Sequence, residues 1–244
     1  MRTLDECKNE RRRWLESERV DEAAKAELLS YSDEELRAAM NGYMNFGTAG
    51  LRAKMGAGSA LMNVYTVAHA TKALADYILS CGGDAARRGV AIAYDSRINS
   101  PEFSMRAAEV LSASGITVYL YGELRPTPVL SFALRELGCI AGINVTASHN
   151  PSEYNGYKVY WEDGAQIGPE QANAISALIA KTDILSGVPA ASEARSELIL
   201  PMPAEIDEKY RECVLAQQVD PSMIPAMADR MKIVYTPLHG AGIT

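Results

Sequence analysis

The chain has 244 residues, 48% of them hydrophobic and 23% charged, with a formal net charge of −7. That composition excludes a disordered chain and supports a substantial core, as one large or two small domains. The acidic balance argues against a nucleic-acid binder. No stretch reaches the roughly 18 apolar residues of a membrane span, and the charged start MRTLDECKNERRRW is unlike a secretion signal.

Cys7, Cys81, Cys139 and Cys213 are scattered, without a Cys-x-x-Cys pair or histidines at zinc spacing. They read as reduced thiols of a cytoplasmic protein.

Residues 3–41 form a helical lead, with Leu4, Cys7 and Trp14 at helical spacing and a capping box at Ser32-Asp33-Glu34-Glu35. Asn45-Phe46-Gly47-Thr48-Ala49-Gly50-Leu51-Arg52 follows. Two glycines beside an arginine suit either a loop whose backbone approaches an anion or an ordinary glycine turn. Gly56-Ala57-Gly58 lacks the preceding strand that a dinucleotide fingerprint requires.

An α/β rhythm then sets in. A helix from Thr66 stops at Gly82-Gly83, and Val90–Tyr94 is a short strand. Ser100-Pro101 caps a helix that closes at Gly115, Ile116–Tyr121 is the next strand, and Thr127-Pro128 opens a helix ending at Gly138. Residues 139–145 form a buried strand, and 157–161 follow too closely for a crossover and pair antiparallel. The fold class is α/β, with a mixed, largely parallel sheet flanked by helices. Asp95-Ser96-Arg97, just past strand 90–94, makes Arg97 either an anion ligand or part of a loop held by an Asp–Arg contact.

After a helix from Pro169, residues 182–203 lose periodicity and read as a linker or an extended connection. A helix at 204–217 and a strand Lys232–Tyr235 open onto Pro237-Leu238-His239-Gly240-Ala241-Gly242. The expected organisation is a first domain over 1–203, including the helical N-terminal arm, and the truncated start of a second α/β domain over 204–244.

The chemistry concentrates at Thr146-Ala147-Ser148-His149-Asn150-Pro151, where the strand 139–145 ends in a polar turn. No Gly-x-Ser-x-Gly elbow is present, and the adjacent His149 is awkward as a hydrolase base, so serine hydrolysis is disfavoured. Phosphoryl transfer needs positioning and cationic groups, and Ser148, His149, Asn150, Lys158, Arg52 and Arg97 supply such parts. The carboxylate cluster of a metal site is missing from the sequence pattern.

These motifs resemble the α-D-phosphohexomutases. Thr146–Pro151 with Asn155-Gly156-Tyr157-Lys158 is similar to their phosphoserine signature, Phe46–Arg52 to their N-terminal active-site loop, and Tyr94-Asp95-Ser96-Arg97 to a matching strand end. The lead and Met62-Asn63-Val64-Tyr65-Thr66-Val67 are most like the bacterial phosphoglucomutase branch, which includes phosphopentomutases. The resemblance implies a four-domain enzyme in which Ser148 carries a phosphoryl group whose oxygen also binds magnesium. His149 and Lys158 would assist proton transfer or steady the phosphoryl group, Arg52 would contact it, and Arg97 and Asn150 would support it. Hexose 1-phosphate and hexose 6-phosphate would interconvert through a hexose 1,6-bisphosphate. The expectation is an N-terminal portion, inactive without the remaining domains. A phosphomannomutase, a phosphopentomutase, a non-catalytic phosphosugar-binding protein and a nucleotide-binding domain using glycines 56–58 or 240–242 are the alternatives.

Overall fold

Capping starts the chain's first three helices. The computed structural model describes residues 1–243, and α1 (Leu4–Glu16), α2 (Glu22–Ser30) and α3 (Asp33–Met40) form its N-terminal arm. Thr3 with Glu6 and Ser32 with Glu35 close reciprocal capping boxes on α1 and α3, and Asp21 caps α2. Cys7, Trp14, Leu28, Leu36 and Met40 converge into a small core of their own. Ile184 and Leu185, far downstream, complete that core, and an Arg13–Asp183 ion pair ties its edge.

The body is a six-stranded sheet in the order β1-β5-β4-β2-β3-β6. Its strands are β1 (Leu51–Lys54), β2 (Val90–Tyr94), β3 (Val118–Leu120), β4 (Ala141–Val145), β5 (Tyr154–Trp161) and β6 (Ile199–Pro201). The pairs β2–β3, β2–β4 and β3–β6 are parallel, whereas β4–β5 and β1–β5 are antiparallel. This is the mixed, largely parallel sheet read from the sequence.

Helices α4 (Val64–Ser80), α6 (Ser100–Ala113) and α8 (Pro169–Lys181) cover one face, burying Leu74, Ile78, Phe103, Leu111 and Ile175 against Ile92, Ile143 and Val159. A short helix, α5 (Ala85–Arg88), leads into β2. Helices α7 (Thr127–Glu136) and α9 (Glu205–Leu215) lie on the other face, over Ala91 and Ala93. Gly142 lets α7 come close, since a Cβ there would lie 2.8 Å from Leu134 Cδ2. With both faces covered, β2 and β4 are apolar runs rather than alternating ones. Each fully buried leucine in these layers contributes roughly 1.5–3 kcal/mol.

The C-terminal third departs from the sequence expectation in three places. Residues 182–203 are not a free linker: Ile184, Leu185 and Val188 are buried, and β6 adds to the sheet edge beside β3, with Val118 opposite Ile199. A three-residue strand has too few alternations to show a period. Helix α9 packs on α7, with Ile206 buried, Phe132 and Tyr210 edge to face at 5.5 Å and Arg125 2.8 Å from Asp207. The helix assigned to a second domain therefore rests on the first.

Residues 232–235 form no strand; Ile233 and Val234 are exposed, because no described backbone lies beside them to complete a ladder. A short helix, α10 (Met223–Met227), precedes them.

Two helix starts also shift by a residue. Asn99, in the left-handed region at φ 63°, takes the cap position before Ser100, and Pro126 does so before Thr127. Ser100 Oγ instead donates to Asp95 and Thr127 Oγ1 accepts from Asn144 Nδ2, so both hydroxyls tie helices to the sheet's carboxyl edge.

Candidate active site

Strand β4 ends at Val145, and the next three residues lift a serine out of the core. Thr146 and Ala147 are buried, whereas Ser148 and His149 are exposed. Ser148 has φ 57°, a left-handed conformation that costs a non-glycine residue about 1 kcal/mol or more. Three neighbouring residues hold it there.

Thr146 Oγ1 donates to Asp95 Oδ2 at 2.5 Å and accepts the Ser148 N–H at 3.0 Å. Asp95 Oδ1 accepts from Ser100 Oγ and from the Arg97 N–H, both at 3.0 Å. The carboxylate is thus anchored on α6 and transmits that anchorage through one hydroxyl to the Ser148 backbone. The Arg97 guanidinium closes the other side of the turn. Nη2 donates to the carbonyl oxygens of Ser148 at 2.8 Å and Asn150 at 2.5 Å, and Nη1 to those of Pro151 and Tyr154, both at 2.9 Å. Its Nε lies 3.4 Å from Asp95 Oδ2.

Of the two roles open to Arg97, anion ligand or part of a loop held by an Asp–Arg contact, the contacts formed here are those of the loop. Its side chain is only 13% exposed, and its planar fork is filled by carbonyls. Arg97 is a clamp on the serine loop.

Of the other residues singled out in the sequence, His149 and Asn150 lie in the turn itself, and Arg52 and Lys158 lie on β1 and β5. Arg52 lies on β1 opposite Gly156, is exposed, and donates from Nη1 to Asn150 Oδ1 at 3.1 Å. Lys158 lies on β5 opposite Asn144. Leu51 and Tyr157 point into the main core, so the period of two puts Arg52 and Lys158 together on the opposite face of the sheet. No hydrogen bond or ion pair engages Lys158 among the described residues. His149 Nδ1 is 3.3 Å from Ser148 Oγ, with the tautomer unassigned.

The glycine loop before β1 works by close approach to protein. Gly47 and Gly50 exchange backbone hydrogen bonds in a tight turn, and Gly50 has φ 73°. A Cβ on Gly50 would sit 1.9 Å from the Tyr157 carbonyl oxygen. Gly50 therefore seats β1 on β5, and the Arg52 side chain beyond it is exposed. The Gly56–Gly58 segment packs against the arm: Asn63 Nδ2 donates to the carbonyls of both glycines, at 2.7 and 2.8 Å. A Cβ on Gly58 would meet Ala39 O at 2.5 Å, which leaves this loop no room for a nucleotide.

A cleft of about 510 Å³ lies beside the turn, with Asp95, Ser96, Arg97, Ser148, Asn150 and His239 among its lining. The sequence offered Asp95 only as a partner for Arg97, gave Thr146 no role of its own, and presented His239 only as part of a domain entry. Nothing in their local patterns marks them; their partners lie 51 residues away for Asp95 with Thr146, and 143 for Ser96 with His239.

Magnesium, implied by the resemblance, finds no ligand set here. The cleft carboxylate, Asp95, already accepts from Thr146, Ser100 and the Arg97 amide. Among the described residues no three His, Cys, Asp or Glu side chains gather as a metal site. The residues present do not fit the ion on their own.

Comparison with known proteins bears on this arrangement directly. Residues 43–185, which span β1 through β5 and the whole Ser148 turn, match the family model for phosphoglucomutase/phosphomannomutase, alpha/beta/alpha domain I. The chain belongs to this family. It is 39% identical over 214 residues to a phosphoglucomutase of Staphylococcus epidermidis, covering 87% of this chain and 38% of that protein. It is 36% identical over 240 residues to a phosphopentomutase of Homo sapiens, covering 94% of this chain and 39% of the relative. Among solved structures, a putative phosphomannomutase from Thermus thermophilus superposes with a TM-score of 0.59 at 30% identity, covering 75% of this chain and 38% of that one. The chain thus spans well under half the length of these phosphomutases.

Proposed function

We propose that this chain is the phosphoserine-bearing domain of a phosphohexomutase, and that Ser148 carries the transferred phosphoryl group. The observation that carries the reading is the exposed Ser148 hydroxyl on a braced left-handed turn, with His149 beside it and Arg52 and Lys158 on the neighbouring strands. Most of phosphoryl-transfer catalysis is positioning and charge stabilisation, and a rigid turn with two adjacent cations offers both.

In the forward half-reaction the bond between phosphorus and Ser148 Oγ breaks while a sugar-phosphate hydroxyl oxygen bonds to phosphorus, forming the hexose 1,6-bisphosphate. The proton leaving the sugar hydroxyl balances the one Ser148 Oγ regains, and His149 Nδ1, 3.3 Å from Oγ, is placed to exchange it. Lys158 and Arg52 stabilise charge on the phosphoryl oxygens. After the bisphosphate turns round, Ser148 Oγ attacks the other phosphorus and the isomeric hexose monophosphate leaves. Asn150 orients Arg52 through their 3.1 Å hydrogen bond.

The reading extends to magnesium ligands and a sugar-selecting surface supplied by the remaining domains, and to a cytoplasmic enzyme. Free thiols at all four cysteines accord with that compartment. Among the described residues no helix is long and apolar enough to cross a membrane. The reading also draws the domain boundary past α9, which the packing of α9 on α7 supports. The 244-residue chain alone lacks turnover.

Intact-mass and peptide mass spectrometry of the full-length enzyme after incubation with glucose 1,6-bisphosphate tests the assignment. One phosphate on Ser148, lost in Ser148→Ala together with activity, is the expected result; phosphate on another residue refutes it. A coupled assay comparing glucose 1-phosphate with ribose 1-phosphate separates the hexose reading from a pentose one, which the human phosphopentomutase relative keeps open.

A further inference from the structure

The motif Pro237-Leu238-His239-Gly240-Ala241-Gly242 has no part in the mechanism above, yet it does not stand apart from the site. Ser96 Oγ donates to the His239 carbonyl oxygen at 3.2 Å, and His239 lines the same cleft as Ser148. Ser96 adjoins both Asp95 and Arg97, so the loop is anchored on the segment that braces the serine turn. The loop has a defined shape: Gly240 N–H donates to Pro237 O at 2.9 Å, and Tyr235 Oη donates to Gly242 O at 2.6 Å.

Leu238 and His239 lie at φ 25° and 61°. Two consecutive L residues in the left-handed region are uncommon, and such outliers concentrate at functional sites. The charge balance of the cleft gives this position a use. Arg97 and His239 are its two basic lining residues, and Asp95 is its acid. Arg97 has its guanidinium filled by carbonyls. A phosphate monoester on Ser148 would therefore meet no free basic side chain from this wall of the cleft other than His239.

We propose that His239 is a further phosphate-binding residue: its imidazole donates a hydrogen bond to the phosphoryl group on Ser148, and the 236–242 loop forms one wall of the phosphoryl site. This rests on Ser148 being the phosphoryl carrier.

The chain has three histidines, His69, His149 and His239, so the Cε1–H region of a carbon–proton spectrum of the ¹³C-histidine protein has three signals. Ser148 is compared in its free form and its phosphorylated form, the latter made by cotranslational incorporation of phosphoserine. The expected result is that His149 and His239 both shift on phosphorylation while buried His69 stays fixed. Ser96→Ala, which removes the loop's anchor, should keep the His149 shift and reduce that of His239 to less than about half. A shift of His149 with His239 unchanged overturns the His239 assignment alone. No shift at either also overturns the His239 assignment, while the Ser148 reading stands or falls on the phosphate mapping by mass spectrometry.

Discussion

The Arg97 guanidinium and the Ser148 carbonyl oxygen are joined by a 2.8 Å hydrogen bond between residues 51 positions apart. Three further carbonyls of the same loop converge on that guanidinium, which makes one side chain the common support of the whole turn. Arg97→Ala should lower stability by about 2–4 kcal/mol, since several carbonyls lose their donor at once. Amide exchange should quicken locally over 148–154. Arg97→Lys should recover little, because an ammonium cannot reproduce a planar fork serving four oxygens. Unchanged denaturation midpoints would show that solvent satisfies these carbonyls equally well.

Ser148 itself allows a comparison that separates strain from chemistry. Ser148→Gly and Ser148→Ala both remove the hydroxyl, but only glycine adopts φ 57° without penalty. The glycine variant should be the more stable by about 1 kcal/mol in urea unfolding. Equal stabilities would mean the turn relaxes out of the left-handed region.

Gly50→Ala should be among the most damaging single changes in the body. Its φ of 73° disfavours a side chain, and the new Cβ would fall 1.9 Å from a backbone oxygen of β5. A loss of roughly 3 kcal/mol is expected, with the β1 amides exchanging freely while the β2 and β4 amides stay protected. A near-neutral result would place β1 off the sheet in solution.

Acid should loosen the arm before the body. His69 is buried, with Nε2 2.8 Å from the Thr182 carbonyl, and burial lowers its pKa. Burial works against ionisation of Asp183 too, yet hydrogen bonds from Arg13 and Ser186 hold its carboxyl well below the usual range. Both folded-state values are depressed, so the unfolded chain binds more protons in each window and stability falls as pH falls. The His69 contribution is present above about pH 6.5 and is lost below it, and that of Asp183 is present above about pH 3.9 and fades below it. Trp14, buried in the arm, reports this in a Trp161→Phe background. Its fluorescence midpoint in urea should drop between pH 8 and 5, and His69→Gln should flatten that drop. A drop of the same size in His69→Gln would assign it elsewhere.

Much of the site was legible in the sequence because its signals are local. The apolar run into Thr146–Asn150 announced a buried strand ending in an exposed polar turn, and the spacing to Lys158 announced an antiparallel return. Arg97 was not legible to the same degree. Asp95 and Ser100 lie beside it in sequence, but the four carbonyls that decide its role arrive only when the 148–154 loop folds over α6. The glycine loop followed the same rule: its turn was readable, whereas the Tyr157 carbonyl that makes Gly50 necessary belongs to a strand far downstream in the chain.

By itself, then, the sequence determined the helix and strand alternation, the mixed sheet, the capped arm and the exposed polar turn at the end of β4. These depend on hydrophobic period and on side chains a few residues apart. The tertiary structure alone decided that 182–203 contributes a strand, that α9 rests on α7, that Arg97 gathers the carbonyls of the serine loop, and that His239 borders the serine cleft. Each of those outcomes is a pairing between distant segments, and no local pattern records which backbone groups the folded chain will bring within hydrogen-bonding reach.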